Sequence, residues 1–277
     1  MAAEFGARLE SVRSTVPLVH CITNYVTVHD VANVLIACGG SPIMSDEPAD
    51  VADITSICGA LYVNIGTLNA RTIEGMEVAA ARAAELGHPI VLDPVGAGAS
   101  ALRTETAAHL LETYPVCCVR ANMSEIKALA MGSSTTRGVD VAPDDAVTDG
   151  NLDEMAAFVR RFSAASGAVV VASGAIDLVS DAETTYAIRN GHPLMGQITG
   201  SGCMLSGVVA AYVAANPGSR LQAAAAAVSM FGLAGELAAA RAERDGAGNA
   251  TYSNYLIDGV FGMDAAALER GARHELR

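Results

Sequence analysis

Short apolar runs recur along this chain, each ending on a polar residue or glycine and each followed by a stretch of helical spacing. Leu61–Gly66, Pro89–Asp93, Val116–Arg120 and Ala168–Gly174 are apolar on successive residues rather than on alternate ones, the pattern of strands buried on both faces. Strands of that kind, alternating with helices, pair in parallel, because a parallel neighbour is reached only by a crossover. The expected architecture is an α/β fold with a mostly parallel central sheet and helices on both faces. A helix over residues 4–13 leads into a first strand starting at Val16, and Ser41–Ser45 is a short extended piece. Further helices are expected over 28–36, 50–58, 73–86, 104–114, 152–162, 203–215 and 221–241. Residues 177–181 and 184–188 read as a hairpin turned at Ala182–Glu183 and added at the sheet edge. The tail from Tyr252 to Arg273 reads as one more loop and helix, and the polar stretch 132–151 as a loop or flap. At 277 residues, with no shift in composition, the chain is expected to form one domain, 1–277.

Charge and residue usage exclude several functions. Seventeen basic residues against 30 acidic ones give a formal charge of −13, which argues against a nucleic-acid surface, and no basic amphipathic helix suggests a membrane-surface role. The start, MAAEFGARLESVRSTVP, lacks the basic and apolar regions of a signal peptide, and no uninterrupted apolar stretch reaches membrane-spanning length. A cytoplasmic protein is expected. The six cysteines form no CxxC pair and are expected as free thiols. Lys127 is the sole lysine, so a GxxxxGK phosphate loop is impossible. No GxGxxG follows the first strand, which speaks against a dinucleotide oxidoreductase.

The chemistry concentrates where strands and turns end. Ile198-Thr199-Gly200-Ser201-Gly202-Cys203 is a glycine turn opening into an apolar helix, whose first N–H groups lack intrahelical acceptors and favour an anion. In that position the helix dipole favours a thiolate at Cys203; the same residues also read as a tight turn with a small buried cysteine. Asp93 ends a buried strand, where ligands collect in open α/β sheets. Asn122 and Glu125 fit a helix N-cap and its N3 partner, a wholly structural use, or a functional pair. Arg120 is equally a phosphate contact or a structural ion-pair partner. Two acids beside a glycine-built anion hole suit magnesium-dependent phosphoryl transfer, since Mg²⁺ takes a few carboxylates plus water and phosphate oxygens.

Taken together, HCITNYV, GGSPIMSDEP, NIGTL, DPVGAGAS, VRANMSEI and ITGSGCMLS make the sequence resemble the hydroxyethylthiazole kinase family of the ribokinase-like superfamily, across almost the whole chain. The resemblance implies a ribokinase-like three-layer sandwich that phosphorylates the alcohol of 4-methyl-5-(2-hydroxyethyl)thiazole with ATP, in thiamine salvage. It implies Mg²⁺ held or oriented by Asp93 and Glu125, and nucleotide contacts from Arg120, Ser173 and Asn122. Met44, Gly200 and Asn24 match thiazole-pocket positions. It also implies a homotrimer with sites near subunit boundaries. Ala97 and Ala121 stand where Val and Gly are more usual, without removing a charged participant. A kinase for hydroxymethylpyrimidine, or a nucleotide-binding regulator without catalysis, are the competing readings.

Cys203 stands where many ribokinase-like kinases carry an aspartate base, and a thiol near neutrality is mostly protonated. Phosphoryl transfer through a loose transition state depends on positioning and charge stabilisation, so the amides of Gly200, Ser201, Gly202 and Cys203 outweigh proton removal. Cys203→Ala is therefore expected to slow turnover and leave measurable activity in a steady-state assay; complete loss in folded protein would count against this order of importance.

Overall fold

The computed structural model describes residues 4–131 and 145–277. A nine-stranded sheet runs β2-β1-β3-β4-β5-β6-β7-β8-β9 through the described residues. Its strands are β1 (Leu18–Ile22), β2 (Ser41–Met44), β3 (Ala60–Asn64), β4 (Ile90–Asp93), β5 (Val116–Asn122), β6 (Val169–Ser173), β7 (Asp177–Ser180), β8 (Thr185–Ile188) and β9 (His274–Leu276). The first six pair in parallel and the last three join antiparallel.

Strand side chains alternate between two cores. Tyr62, Val91, Cys118 and Val171 face one of them, and their neighbours Val63, Leu92, Val119 and Val170 face the other. Helices α1 (Phe5–Thr15), α2 (Val28–Cys38), α8 (Ser201–Ala215), α9 (Arg220–Asp245), α10 (Asn249–Gly262) and α11 (Ala265–Gly271) pack on the first. The second is covered by α3 (Val51–Ile57), α4 (Ala70–Leu86), α5 (Ala101–Thr113), α6 (Met123–Met131) and α7 (Leu152–Ser166). The expected α/β sandwich is therefore observed.

Two helices form the middle of the first layer. Every residue from Cys203 to Val213 in α8 is buried, as is the Ala223–Ala227 run of α9. A helix apolar all round must be enclosed, and small side chains let the backbones approach. By length and composition α9 could also cross a membrane, but most of its apolar window lies inside the protein.

The tail differs from expectation. It forms two helices, α10 and α11, and then β9, which takes the sheet edge beside β8. The predicted hairpin is present, but it is not the edge. A three-residue strand, HEL, carries no periodic signal and exists because β8 offers an unpaired edge. Of the polar stretch 132–151, residues 132–144 lie outside the described residues. Asp145, which follows them, is bonded to Lys127 Nζ at 2.7 Å and to Ser124 Oγ at 2.6 Å.

His20 in β1 joins three elements. Its Nε2 lies 2.9 Å from the Ser45 carbonyl after β2, so this nitrogen carries the proton, and Nδ1 accepts from the Thr55 hydroxyl of α3 at 2.8 Å. Burial lowers its pKa, opposed by the Ser45 carbonyl and by Asp50. The unfolded chain therefore binds the proton at higher pH than the folded one, and stability falls as pH drops below about 6.5. Urea unfolding between pH 7.5 and 5 is expected to show this loss, up to about 1.4 kcal/mol per pH unit for one proton. The slope should flatten in His20→Gln; an equal slope in both proteins would assign the effect to other groups.

Candidate active site

Parallel strands deliver their C-terminal ends to one edge of the sheet, and the polar residues collect there. Asn64 ends β3, Asp93 ends β4, Arg120 and Asn122 lie at the end of β5, and Ser173 ends β6. Strand register sets Asn64 beside Asp93 and Asn122 beside Ser173. Above this edge opens a cleft of ≈ 1010 Å³, whose lining includes Asn24, Arg120, Glu125, Ser173 and the turn Gly200–Cys203.

Asp93 lies beneath the cleft with no exposed surface. Its Oδ2 accepts from Asn64 Nδ2 and Ser206 Oγ, each at 2.8 Å, while the Tyr62 hydroxyl lies 3.2 Å from Oδ2 and 3.1 Å from the Cys203 carbonyl. Oδ1 has no hydrogen-bond partner and faces Arg120 Nη1 at 3.9 Å. One oxygen is saturated and the other makes no hydrogen bond. Burial pushes the Asp93 carboxyl up, opposed by Arg120 and the three hydroxyl and amide donors.

Glu125 performs the structural role its spacing allowed and reaches the site as well. Oε2 accepts from the Asn122 N–H at 2.8 Å, and Asn122 Oδ1 accepts from the Glu125 N–H at 2.9 Å, a reciprocal cap on α6. Oε1 accepts from the Gly96 N–H at 2.7 Å, tying α6 to the loop after β4. Burial first, then the neighbouring Asp93, raises the Glu125 carboxyl to about 7. Two buried acids this close favour a bound cation.

Positive groups face them. Arg120 Nη2 donates to Ser173 Oγ, its Nε has no partner, and its guanidinium lies on the backbone of Gly202 so closely that a Cβ there would overlap it. Gly200 has φ 79° and would meet Thr27 with a Cβ, so both glycines are required. The α8 ladder starts with Met204 N–H on the Gly200 carbonyl, leaving the amides of Ser201, Gly202 and Cys203 ahead of the first intrahelical bond. Arg120 thus lies against the start of α8 on one side and faces Asp93 on the other.

Of the two readings of Cys203, the structure shows the small buried cysteine. Its Sγ accepts from Asn24 Nδ2 at 3.3 Å and Asn64 Nδ2 at 3.2 Å, yet burial and the Asp93 charge raise the thiol, against the lowering by Arg120, Thr27 and Asn24. A helix terminus favours a thiolate only where desolvation does not prevail; here the thiol stays protonated. Met44 stands apart: it is half-buried at the end of β2 and is not among the residues lining the cleft.

Four contributors escaped the sequence reading: Tyr62, Asn64, Ser206 and Thr27. Asn64 ends a buried strand as Asp93 does, and that shared position was a usable signal. Ser206 lies one turn after Gly202 in the apolar helix, and only its bond to Asp93 distinguishes it from a core serine.

The sheet and its two helical layers give a ribokinase-like α/β fold. A ribokinase-like superfamily protein from Enterococcus faecalis V583 superposes with a TM-score of 0.62 over 90% of this chain and 88% of its own, at 14% identity, a likeness of fold alone. The chain belongs to the hydroxyethylthiazole kinase family, whose model matches residues 9–265. It is 52% identical to hydroxyethylthiazole kinase of Clostridium acetobutylicum, over 97% of this chain and 98% of that one. The structure of a hydroxyethylthiazole kinase protein from Pyrococcus horikoshii OT3 superposes with a TM-score of 0.88 at 32% identity, covering 99% and 98%.

Gly202→Ala tests the anion position without touching a charge. Displacing the guanidinium is expected to lower kcat/KM by about ten- to a hundredfold. Stability, measured by urea unfolding, should change by no more than about 1 kcal/mol. Unchanged turnover would show that the placement of Arg120 is immaterial.

Proposed function

We propose that this chain transfers the γ-phosphoryl group of ATP to the primary alcohol of 4-methyl-5-(2-hydroxyethyl)thiazole, in thiamine salvage. Besides membership of the family, one observation carries the reading: a buried carboxylate with one unpartnered oxygen, facing an arginine that rests on a glycine-opened helix terminus. That is a centre for handling phosphoryl charge.

Arg120 and the amides of Ser201, Gly202 and Cys203 bind the transferred group and stabilise its equatorial oxygens. Ser173 orients the guanidinium. Asn64, Ser206 and Tyr62 orient Asp93 so that Oδ1 faces Arg120. Cys203, held by Asn24 and Asn64, shapes the acceptor side and remains protonated; Gly200 keeps the turn open there. Asn122 belongs to the nucleotide side through its place at the end of β5 beside Ser173. Met44, at the end of β2 and apart from the main cleft, is given no role in this reading.

Mg²⁺ fits the residues present. Among the described residues no group of three His, Cys, Asp or Glu forms a metal cage. Asp93 Oδ1 is free, and each Glu125 oxygen keeps a second lone pair, which suits an ion that retains waters and phosphate oxygens. When bound, it neutralises charge on the phosphates.

The same reading treats 1–277 as one kinase domain built on one continuous sheet, acting in the cytoplasm as a homotrimer. Six free thiols suit a reducing compartment. Tyr25, Val26, Val28 and Ile36 expose apolar side chains around α2, beside Asn24, which suits a subunit contact near the site.

Purified protein with Mg²⁺ and ATP is expected to consume ATP only when the thiazole alcohol is added, with hydroxymethylpyrimidine and no acceptor as controls. Asp93→Asn and Glu125→Gln should each lower kcat by about 10²–10³-fold, and chelation of the metal should abolish turnover reversibly. Folded protein that binds ATP but shows no thiazole-dependent turnover would refute the proposal.

A further inference from the structure

The wall that follows β8, Asn190–Pro193 with Met195, also lines the cleft. β8 runs parallel to β6, because two antiparallel steps separate them, so its C-terminal end reaches the same sheet edge as Asp93. In the strand order, Asn24 after β1 and Asn190 after β8 lie on opposite sides of β4 and β5, which carry Asp93 and Arg120. On the reading that Asn24 faces the alcohol and Arg120 the phosphates, the wall borders the nucleoside. Phe231 and Val228 of α9 supply the apolar surface that a base needs.

A polar latch holds this wall. Glu236 Oε1 accepts from the Gly191 N–H at 2.8 Å and from Asn190 Nδ2 at 3.1 Å. The same carboxylate receives both terminal nitrogens of Arg273, at 2.8 and 3.0 Å. Arg273 Nη2 also donates to the Arg189 carbonyl at 2.7 Å, and its backbone N–H to Asn190 Oδ1 at 2.8 Å. The Asn190 carboxamide is completed by the Gly271 carbonyl at 3.0 Å. Beneath it, a Cβ on Gly232 would lie 2.8 Å from Asn190 backbone carbon, so the wall rests directly on α9. Glu236 and Arg273 do not line the cleft, and Arg273 lies beyond residue 265, where the family match ends.

We propose that Glu236 and Arg273 are positioning residues through which the C-terminal segment sets nucleotide affinity, an inference that rests on the ATP reading above. A wall tied at both its backbone and its carboxamide presents a preformed surface, and releasing it makes nucleotide binding bear the cost of ordering it.

The test is calorimetric titration of ADP into the full chain, with steady-state kinetics in parallel. Arg273→Ala and Glu236→Ala are expected to weaken ADP binding and raise the KM for ATP by about three- to tenfold. The kcat at saturating ATP and the KM for the alcohol should change less than about twofold. Arg273→Lys and Glu236→Gln, which keep a donor and an acceptor, should recover part of the loss. Because ADP binding needs no acceptor, absence of thiazole turnover in wild-type protein that binds ADP refutes the function and leaves the latch to be judged on ADP affinity. Wild-type protein that binds no ADP overturns both. Equal ADP affinity in folded variants, equal effects on both substrates, or variants that only lose thermal stability overturn the latch.

Discussion

A carboxylate without solvent access, opposite an arginine, is the constraint around which this molecule is arranged. Burying Asp93 is costly unless its charge is met, and the fold meets it unevenly: three donors converge on Oδ2, and Arg120 stands off from Oδ1 at 3.9 Å. Each of those contacts makes a structural demand. Ser206 must lie one turn into α8, Asn64 must pair in register with Asp93, and Gly202 must lack a side chain so that the guanidinium can rest on the helix. The parallel sheet, the glycine turn and the enclosed helix are conditions of one another.

On the proposed function, the same geometry explains why a cysteine suffices at position 203. Its sulfur is enclosed beside a buried acid, and these two influences outweigh the carboxamide donors that would favour a thiolate, so the thiol stays neutral. A centre built on prearranged positive charge does not need a strong base there. Glu125 makes a related point: capping α6 and facing the site are one arrangement, because the helix starts at the strand end where ligands gather. The cap at Glu125 and the pairing of Arg120 with Asp93 are compatible with the roles proposed for both.

Legibility followed the range of the interaction. Buried strands showed as continuous apolar runs, and their polar last residues pointed to Asp93, Arg120 and Ser173. The same reasoning applied to Asn64 would have found it. Ser206, Tyr62 and Thr27 were hidden because nothing in their neighbourhoods along the chain differs from core residues, and their partners lie on other elements. β9 was hidden for a like reason: three residues with no alternation become a strand only against the exposed edge of β8. Met44 marks the opposite case, singled out from its motif yet standing apart from the cleft.

By itself the sequence determined the layers, the alternation of strands and helices, and the glycine turn at the start of α8, since apolar periodicity and positive φ are local requirements of the chain. It also determined which acids were available to a phosphoryl centre. Only the tertiary structure decided which oxygen of Asp93 lacks a hydrogen bond, that burial raises the Cys203 thiol against the pull of the helix terminus, and that Glu236 and Arg273 meet behind the cleft wall. Those outcomes depend on desolvation and on partners far apart in the chain, and neither has a signature within a single element.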